Sequence, residues 1–312
     1  MTGEPGKIGK IGSILPYFGG KRTLAPAIVE ELGPHLAYVE PFCGSMAVLL
    51  AKPRSAQETV NDLHGDAVNL AMVLASEICR GLYDRLARTI MVEAIHLQAR
   101  TRVTAEPACP TDGPEAVDES HVDRAYWFFV MSWMGRNGIS GTTAAQTNQN
   151  IACRWTPGGG GGGVRFANAV ESLPAWHQRL RSVMILNRDG FEIIERIADA
   201  DGMAVYVDPP YLADSRSSGK YTHDFEPDDH KRLAHLLGRF QTARVVVSYY
   251  DHPDLQVLYP GWTIRRCDCN KTTSIQNNRG GKPTTSPEVL LINGPSNAEP
   301  AGPTVKSLFS NL

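Results

Sequence analysis

The sequence has no hydrophobic run that approaches the length of a transmembrane helix, which argues against a protein that spans a membrane. Its first thirteen residues contain lysines but no apolar segment, so they do not resemble a secretory signal peptide. Its six cysteines are scattered without a CxxC pair, and Cys267 and Cys269 have no His or Cys partners at zinc spacing. We therefore expect free thiols, no bound metal and a cytoplasmic location.

The chain also lacks a strong excess of either charge, since its formal net charge over 312 residues is −2. A protein that coats nucleic acid without specificity would be more basic. The charge is uneven, however. Residues 121–181 contain six arginines and two carboxylates, whereas residues 190–230 contain ten carboxylates and three basic residues. The first segment could face phosphates; the alternative is a solvated surface with chance clustering.

Short β-branched runs alternate with helical stretches in both the first and the last third of the chain. The strand–helix–strand spacing at the start indicates a βαβ unit and a parallel sheet, and the last two runs are expected to pair antiparallel. We therefore predict an α/β fold. The predicted strands are residues 37–42, 59–63, 183–187, 203–208, 243–250, 262–269 and 287–293. The predicted helices flanking them are about residues 45–51, 65–80, 191–198 and 228–240.

The pattern changes between residues 83 and 182, where helical stretches alternate with polar, proline-rich and glycine-rich loops. We interpret this region as a lobe inserted into a catalytic domain of residues 1–82 and 183–293, with a tail at 294–312. The aromatic-rich stretch 126–136 is interpreted as core of the lobe, with base stacking as the alternative. The glycine run 157–163 is expected to be mobile.

The first two predicted strands end in residues suited to a ligand. In an open parallel sheet, ligands bind beyond the carboxyl ends of the strands, where the strand order reverses. Gly44 follows the first strand and would let the backbone approach a ligand, although a plain turn would also use glycine. Asp62 ends the second strand, where an acidic residue could bind ribose hydroxyls or cap the next helix.

A third strand end, in the sequence AVYVDPPYL, carries a charge, two prolines and an aromatic ring. Proline ends the strand and fixes the direction of the chain. The carboxylate of Asp208 and the carbonyl of Pro209 would then be two acceptors with little freedom beside the ring of Tyr211. These three groups match an exocyclic amine on a planar base; the alternative is an incidental turn.

The basic turn PYFGGKR, at residues 16–22, invites comparison with a phosphate-binding loop. It does not fit that motif, because Leu15 stands where the first glycine is required and Arg22 follows Lys21. A surface turn is the alternative interpretation.

Taken in order, the motifs PYFGGKR, YVEPFCGSMAVLLAKP, TVNDLHGD and VYVDPPYL resemble those of Dam-type, phage- and prophage-like DNA adenine N6-methyltransferases. The resemblance extends through VVVSYYDHP to the PEVLLIN strand. It implies a Rossmann-like seven-stranded methyltransferase sheet with an inserted, mainly helical target-recognition lobe. The family's glycine turn usually has the form FxGxG, and here Met46 occupies the place of the second glycine.

The resemblance implies that S-adenosylmethionine is the cofactor. Tyr17 and Lys21 would hold its methionine end, Asp62 its ribose, and Asp189 would lie near its adenine. The residues implied to bind the cofactor are Tyr17, Lys21, Glu40, Phe42, Gly44, Asp62, Asp189 and Asp208. The residues implied to form the catalytic motif are Asp208, Pro209, Pro210 and Tyr211.

The implied substrate is DNA, a duplex with a short specific site, whose adenine is flipped out of the stack to reach the cofactor. We expect Arg136, Arg154 and Arg165 of the lobe to contact the DNA. The alternatives are a methyltransferase acting on RNA or a protein glutamine, in which NPPY is common, and a non-catalytic DNA-binding relative. The sequence leaves open the recognition site, the oligomeric state and whether a cognate restriction endonuclease exists.

Overall fold

The computed structural model describes residues 12–17, 19–108, 117–135, 151–153, 161–212, 224–267 and 287–298. Its strands are β1 (Ala37–Glu40), β2 (Gln57–Asn61), β3 (Met184–Leu186), β4 (Met203–Val207), β5 (Arg244–Tyr250), β6 (Thr263–Cys267) and β7 (Glu288–Ile292). The helices of the described residues are α1 (Ala25–Leu32), α2 (Ala47–Ala51), α3 (Gly65–Ala75), α4 (Cys79–Ala87), α5 (Glu93–Ala105), α6 (Glu119–Met134), α7 (Gly162–Leu180), α8 (Gly190–Arg196), α9 (Pro227–Leu237) and α10 (Asp254–Leu258).

The seven strands form one sheet in the order β3-β2-β1-β4-β5-β7-β6. The first five of these are parallel to one another, and β7 runs antiparallel to both β5 and β6. All seven predicted strands and the antiparallel closing pair are therefore confirmed. The chain leaves β1 toward one edge and returns to it at β4, so the strand order reverses between these two strands. Crevices at such a point commonly bind ligands.

The register of the sheet brings the predicted strand ends to one edge. Val39 of β1 is paired with Thr59 of β2 and with Val205 of β4, and Val207 of β4 is paired with Val247 of β5. Because these strands are parallel, the segments that follow them emerge side by side. The acidic residues at the ends of β2 and β4 are thus brought to the same edge as the turn after β1.

Both faces of the sheet are covered by helices. One face carries the side chains of Tyr38, Val60 and Tyr206 and packs against a cluster that includes residues of α1 to α7. The other face carries Val205 and Val247 and packs against residues of α8, α9 and α10. Burial on both faces explains why the central strands read as continuous β-branched runs in the sequence.

The helices between β2 and β3 share their core with the first face of the sheet. Phe129 and Trp133 of α6 are buried, and the Trp133 ring stacks on Trp176 of α7 with centroids 6.5 Å apart. The indole N–H of Trp133 donates to the carbonyl of Ile14 at 3.1 Å. The interpretation of residues 126–136 as core is confirmed for the described residues. The division into a catalytic domain and a lobe at 83–182 stays a prediction.

Some helix boundaries differ from the predictions. The helix predicted at 65–80 ends at Ala75, because Ser76 adopts an extended conformation and its hydroxyl donates to the carbonyl of Val73; α4 then begins at Cys79. In the glycine run 157–163, residues 157–160 lie outside the described part. Gly162 and Gly163, which were expected to be mobile, instead begin α7. Gly162 allows a close approach of the chain, because a Cβ there would lie only 2.6 Å from the carbonyl oxygen of Ala152.

The predicted tail begins at Gly294, and its described part is bonded to the body of the protein. Glu31 of α1 is fully buried and accepts hydrogen bonds from the hydroxyl of Ser296 at 2.6 Å and the backbone N–H of Asn297 at 2.9 Å. Arg244 and Arg265 pair with the same carboxylate at 3.2 and 2.8 Å. The chain is therefore held against α1 as far as this point.

Two further sequence predictions are addressed by the described residues. Cys43, Cys79, Cys153 and Cys267 are free thiols, as expected. Within the described part of the chain, every helix is too short or too polar to cross a bilayer.

A buried ion cluster joins β2 to two neighbouring elements. Glu58 of β2 accepts from Lys52 at 2.5 Å and from Arg179, at the end of α7, at 2.5 and 2.8 Å. All three side chains are at most 5% exposed. Removing one partner of such a cluster leaves uncompensated charge in a low-dielectric interior, which is costly.

We expect Glu58→Ala to lower the free energy of unfolding by about 3–5 kcal/mol, because it strands two buried cations. Urea unfolding followed by circular dichroism measures the change. The matched control is Asp84→Ala, which breaks an exposed pair with Arg80 and should have little effect. Similar losses for the two variants would contradict the proposed importance of burial.

Candidate active site

A cavity of about 260 Å³ opens at the carboxyl edge of the sheet, beside the point where the strand order reverses. Its walls come from the basic turn before α1, the ends of β1, β2 and β4, and the segments that begin α8 and α9. The residues that line it include Tyr17, Lys21, Glu40, Phe42, Gly44, Asp62, His64, Asp189, Phe191, Asp208, Pro210 and Phe225.

Asp208, directly after β4, is held by both of its carboxylate oxygens. The ammonium of Lys21 lies 2.8 Å from Oδ2, and the hydroxyl of Ser248 donates to Oδ1 at 2.7 Å. Lys21 also donates to the carbonyl of Gly19 at 2.6 Å and lies 4.8 Å from the ring centre of Tyr211. The basic turn, which does not form a phosphate loop, thus supplies the counter-charge for the carboxylate at the mouth of β4.

Burial governs the protonation of this pair. It raises the pKa of Asp208 above that of an ordinary carboxyl, and the charge of Lys21 and the hydrogen bond from Ser248 oppose that rise. Burial alone would lower the pKa of Lys21, but the negative charges of Asp208 and Glu288 raise it above its usual 10.5. Lys21 is therefore a stable ammonium at neutral pH.

The turn after β1 is bonded to the end of β2 through Asp62. One carboxylate oxygen accepts from the backbone N–H of Gly44 at 2.7 Å and the other from that of His64 at 2.9 Å. The residue that caps α3 is His64, not Asp62, because the His64 ring accepts from Ala67. Asp62 therefore connects the two turns and presents its carboxylate to the cavity.

Two residues of this turn have left-handed backbone angles. Gly44 has φ of +45°, and a Cβ there would lie 3.3 Å from the ring of Tyr17. Met46, which stands where the resembling family has a second glycine, has φ of +57° and a buried side chain. The backbone thus keeps a conformation typical of glycine, at a cost of about 1 kcal/mol for a residue with a side chain.

Aromatic rings form the far wall of the cavity. Asp189 caps α8 by accepting from the N–H of Phe191 at 2.8 Å. Gly190 lies so close to Phe42 that a Cβ would come within 2.4 Å of the ring. The ring of Phe225 stacks on Phe191 at 5.3 Å and meets Phe42 edge-on at 5.7 Å. This wall is flat and apolar, with the Asp189 carboxylate at its edge.

Glu40 ends β1 inside the same cavity and is 2% exposed. Its Oε2 accepts from the hydroxyl of Tyr38 at 2.8 Å. Burial raises the pKa of Glu40 to about 8, and the charge of Asp208 adds to the rise. At neutral pH this carboxyl is therefore mostly protonated.

The structure brings most of the predicted site residues together. All eight residues predicted to bind the cofactor line this one cavity, as does Pro210 of the catalytic motif. Tyr211 does not line it: its ring is 2% exposed and packs against Tyr249 and Tyr250. Pro209 does not line it either. The catalytic and cofactor roles of these residues stay predictions.

Of the arginines predicted to contact DNA, Arg136 and Arg154 lie outside the described residues. The Arg165 guanidinium donates to the carbonyls of Trp133 at 2.5 Å and Gly135 at 2.9 Å. This side chain therefore holds the end of α6, and its contact with DNA stays a prediction.

Sequence reasoning missed three residues that shape the site: Ser248, Asn61 and Phe225. Asn61 donates to the carbonyls of Pro41 and Arg188, both at 2.9 Å, and so ties together the loops after β1 and β3. Ser248 and Asn61 had a usable signal, since each is a polar residue within a strand that is otherwise apolar near its end. Phe225 had none, because its neighbours come from distant segments.

Comparisons with known proteins give the family to which the chain belongs. The family model for D12 class N6 adenine-specific DNA methyltransferases matches residues 17–107 and 159–275, more than half of the chain. This chain belongs to that family. It is a DNA adenine methyltransferase, as the sequence motifs predicted.

Two relatives agree with this assignment. The chain is 24% identical over 287 residues to the type II methyltransferase M1.LlaDCHI of Lactococcus lactis subsp. cremoris, covering 89% of this chain and 93% of that protein. It is 23% identical over 295 residues to the retron Ec67 DNA adenine methylase of Escherichia coli, covering 91% and 92%. Among solved structures, the rRNA methyltransferase aviRa from Streptomyces viridochromogenes aligns over 93% of this chain and 87% of its own at 15% identity, with a TM-score of only 0.33.

The unmatched interval of the family model, residues 108–158, is narrower than the lobe predicted at 83–182. It begins after α5 and spans α6, and it contains two of the three arginines predicted to contact DNA. The residues that the family model matches therefore include α4, α5 and all of α7.

The raised pKa of Glu40 predicts how stability depends on pH. A carboxyl with a higher pKa in the folded state stabilises the fold fully below its ordinary value of 4.5, and this contribution is lost as pH rises through about 8. The free energy of unfolding should therefore fall by up to about 1.4 kcal/mol per pH unit within that window because of Glu40. Thermal unfolding at several pH values measures this slope.

Glu40→Gln, which mimics the neutral acid, should flatten that slope relative to the unchanged protein. Glu30→Gln is the matched control, since Glu30 lies on the exposed side of α1 and its loss should leave the slope in place. An unaltered slope in Glu40→Gln would show that another group causes it.

Proposed function

We propose that this methyltransferase transfers a methyl group from S-adenosylmethionine to the N6 amine of an adenine flipped out of DNA, at Asp208 and Pro209. The observation that carries the proposal is the Asp208 carboxylate, fixed by Lys21 and Ser248 at the mouth of β4 and facing the cavity. Family membership supplies the reaction class, and this geometry supports its assignment to these residues.

The cavity suits the proposed cofactor. The aromatic wall of Phe191 and Phe225 could cover a purine, and the Asp189 carboxylate at its edge could accept from an amino group. Asp62 has lone pairs left after its two backbone bonds, which suits it to ribose hydroxyls. The absence of a side chain at Gly44 keeps the wall beside Tyr17 open. The cofactor supplies the methyl group on a positively charged sulfur.

The carboxylate of Asp208 would act on the target amine by accepting a hydrogen bond from one of its two N–H groups. Oδ1 and Oδ2 each retain a lone pair after bonding Ser248 and Lys21. The carbonyl of Pro209 would accept a hydrogen bond from the second N–H of the amine, which requires this carbonyl to reach a cavity that Pro209 does not line. With both hydrogens held by hydrogen bonds, the nitrogen lone pair localises and points at the methyl group, and preformed acceptors stabilise the charge that develops on nitrogen. As the new N–C bond forms, the bond between the methyl group and sulfur breaks, and the nitrogen then gives up its surplus proton to solvent. The positive charge of Lys21 compensates the loss of solvent around this partly buried carboxylate.

Adenine inside a duplex cannot reach this cavity, so the base must leave the stack at a cost of a few kcal/mol. Stacking of the flipped adenine on the ring of Tyr211 would offset about 1–3 kcal/mol of that cost. Because Tyr211 is packed against Tyr249 and Tyr250, that stacking requires the ring to be uncovered when DNA binds.

We expect Asp208→Ala to lower methyl transfer from tritium-labelled S-adenosylmethionine to unmethylated DNA by at least about 100-fold. Cofactor binding, followed by calorimetry, should remain measurable in the same variant. Asp84→Ala, at an exposed helical site, is the control and should keep normal transfer. Near-normal transfer by Asp208→Ala would contradict the catalytic role proposed for Asp208. Methyl transfer to RNA and not to DNA would show that RNA is the substrate.

The arginines divide into two expected classes. Arg136→Ala and Arg154→Ala should each weaken DNA binding and reduce the slope of log affinity against log salt by about one, because each loses one phosphate contact. Arg165→Ala should lower the melting temperature as well, since two backbone carbonyls lose their donor. Fluorescence anisotropy at several salt concentrations measures the slopes; unchanged slopes for Arg136 and Arg154 would exclude them from the interface.

A further inference from the structure

Ser248 on β5 is a fully buried polar residue at the reacting edge of the sheet. Val207 and Val247 are paired across β4 and β5, so the residues that follow them, Asp208 and Ser248, also lie side by side. The Ser248 hydroxyl donates to Asp208 Oδ1 at 2.7 Å and lies 2.9 Å from the hydroxyl of Tyr206, which is also fully buried.

The direction of these hydrogen bonds follows from the number of protons. A serine hydroxyl has one proton, and in Ser248 that proton is donated to Asp208. The short contact with Tyr206 must then be donated by the tyrosine hydroxyl. Tyr206, Ser248 and Asp208 form a chain in which each member has one orientation.

This series of hydrogen bonds fixes the rotation of the Asp208 carboxylate, which Lys21 alone does not fix. With Lys21 alone, the carboxylate is held through Oδ2, and rotation about the Cβ–Cγ bond can move Oδ1. The bond from Ser248 stops that rotation. Tyr206 in turn donates to the serine oxygen and so favours the orientation in which the serine proton points at Asp208. The hydroxyl of Tyr211 also faces Ser248.

We propose that Ser248 is a positioning residue for methyl transfer, oriented by Tyr206, and that it holds the Asp208 carboxylate in the plane that accepts the target amine. This inference rests on the proposed role of Asp208. Neither Ser248 nor Tyr206 lines the cavity, so both act through Asp208 and not on the substrate.

The pH dependence of transfer gives this role a signature. The hydrogen bond from Ser248 lowers the pKa of Asp208, against the upward effect of burial. Without it, Asp208 is protonated at higher pH, and a protonated carboxyl no longer accepts freely from the amine. The other titratable groups that face Asp208 are Lys21, Glu40, Tyr206, Tyr211, Tyr249, Tyr250 and Glu288.

The test is single-turnover methyl transfer from labelled S-adenosylmethionine to DNA by Ser248→Ala. We expect the transfer rate to fall about 10- to 100-fold and the acid limb of its pH profile to move to higher pH. Cofactor affinity should change by less than about threefold. Ser248→Thr keeps the hydroxyl and should restore the acid limb.

Tyr206→Phe tests the chain by a second route. It should lower the rate less than Ser248→Ala does, because it loosens the serine hydroxyl without removing it. Because the orienting hydrogen bond of Tyr206 is made to Ser248, the double variant should be no slower than Ser248→Ala alone. If the reductions in transfer rate of the two single variants multiply in the double variant, Tyr206 does not act by orienting Ser248.

Ser172→Ala is the matched control, because Ser172 is equally buried and its hydroxyl donates to a helix carbonyl away from the cavity. Its melting temperature and rate report the effect of losing a buried hydroxyl as such. An unshifted acid limb in Ser248→Ala, with Asp208→Ala inactive, would overturn this inference and leave the proposed function standing. An active Asp208→Ala would overturn the proposed function itself.

Discussion

The rest of the site depends on a partly buried carboxylate, that of Asp208, at the end of β4. Taking Asp208 out of water costs several kcal/mol unless opposite charge and hydrogen bonds replace the lost solvent. Lys21 supplies the charge from a turn that precedes the first helix, and Ser248 supplies a hydrogen bond from the neighbouring strand. The amino-terminal turn, β4 and β5 must therefore be assembled before the Asp208 carboxylate has its partners.

The cavity around this carboxylate is formed by the order of the strands in the sheet. Because the strand order reverses between β1 and β4, the segments after these strands separate and leave room between them. Asp62 closes one side by binding the turn after β1, and Asn61 closes another by binding the loops after β1 and β3. The backbone of the cavity is thus held mainly by side chains from the end of β2. These side chains therefore hold the wall of the cavity in place through hydrogen bonds to its backbone.

Sequence reasoning located the strands and most of the cavity because these depend on local patterns. Continuous β-branched runs mark strands that are buried on both faces, and the motif order identified the edge residues. It did not find Ser248 or Phe225, because their importance comes from register and from packing between segments far apart in the chain. It expected Tyr211 at the surface of the site, and burial among other tyrosines could not be read from its neighbours in sequence. The break between α3 and α4 was missed because Ser76 ends the helix without a glycine or proline.

Met46 shows how a backbone conformation can outlast the residue usually associated with it. The turn after β1 keeps a left-handed angle at this position, and the side chain that glycine would lack is placed in the core. The strain of the angle is offset by apolar surface removed from water. A search for the exact pattern FxGxG would miss this turn, because Met46 replaces the second glycine, whereas a search for its backbone dihedral angles would find it. Family signatures of this kind are better written as geometries, with several residues allowed to satisfy each one.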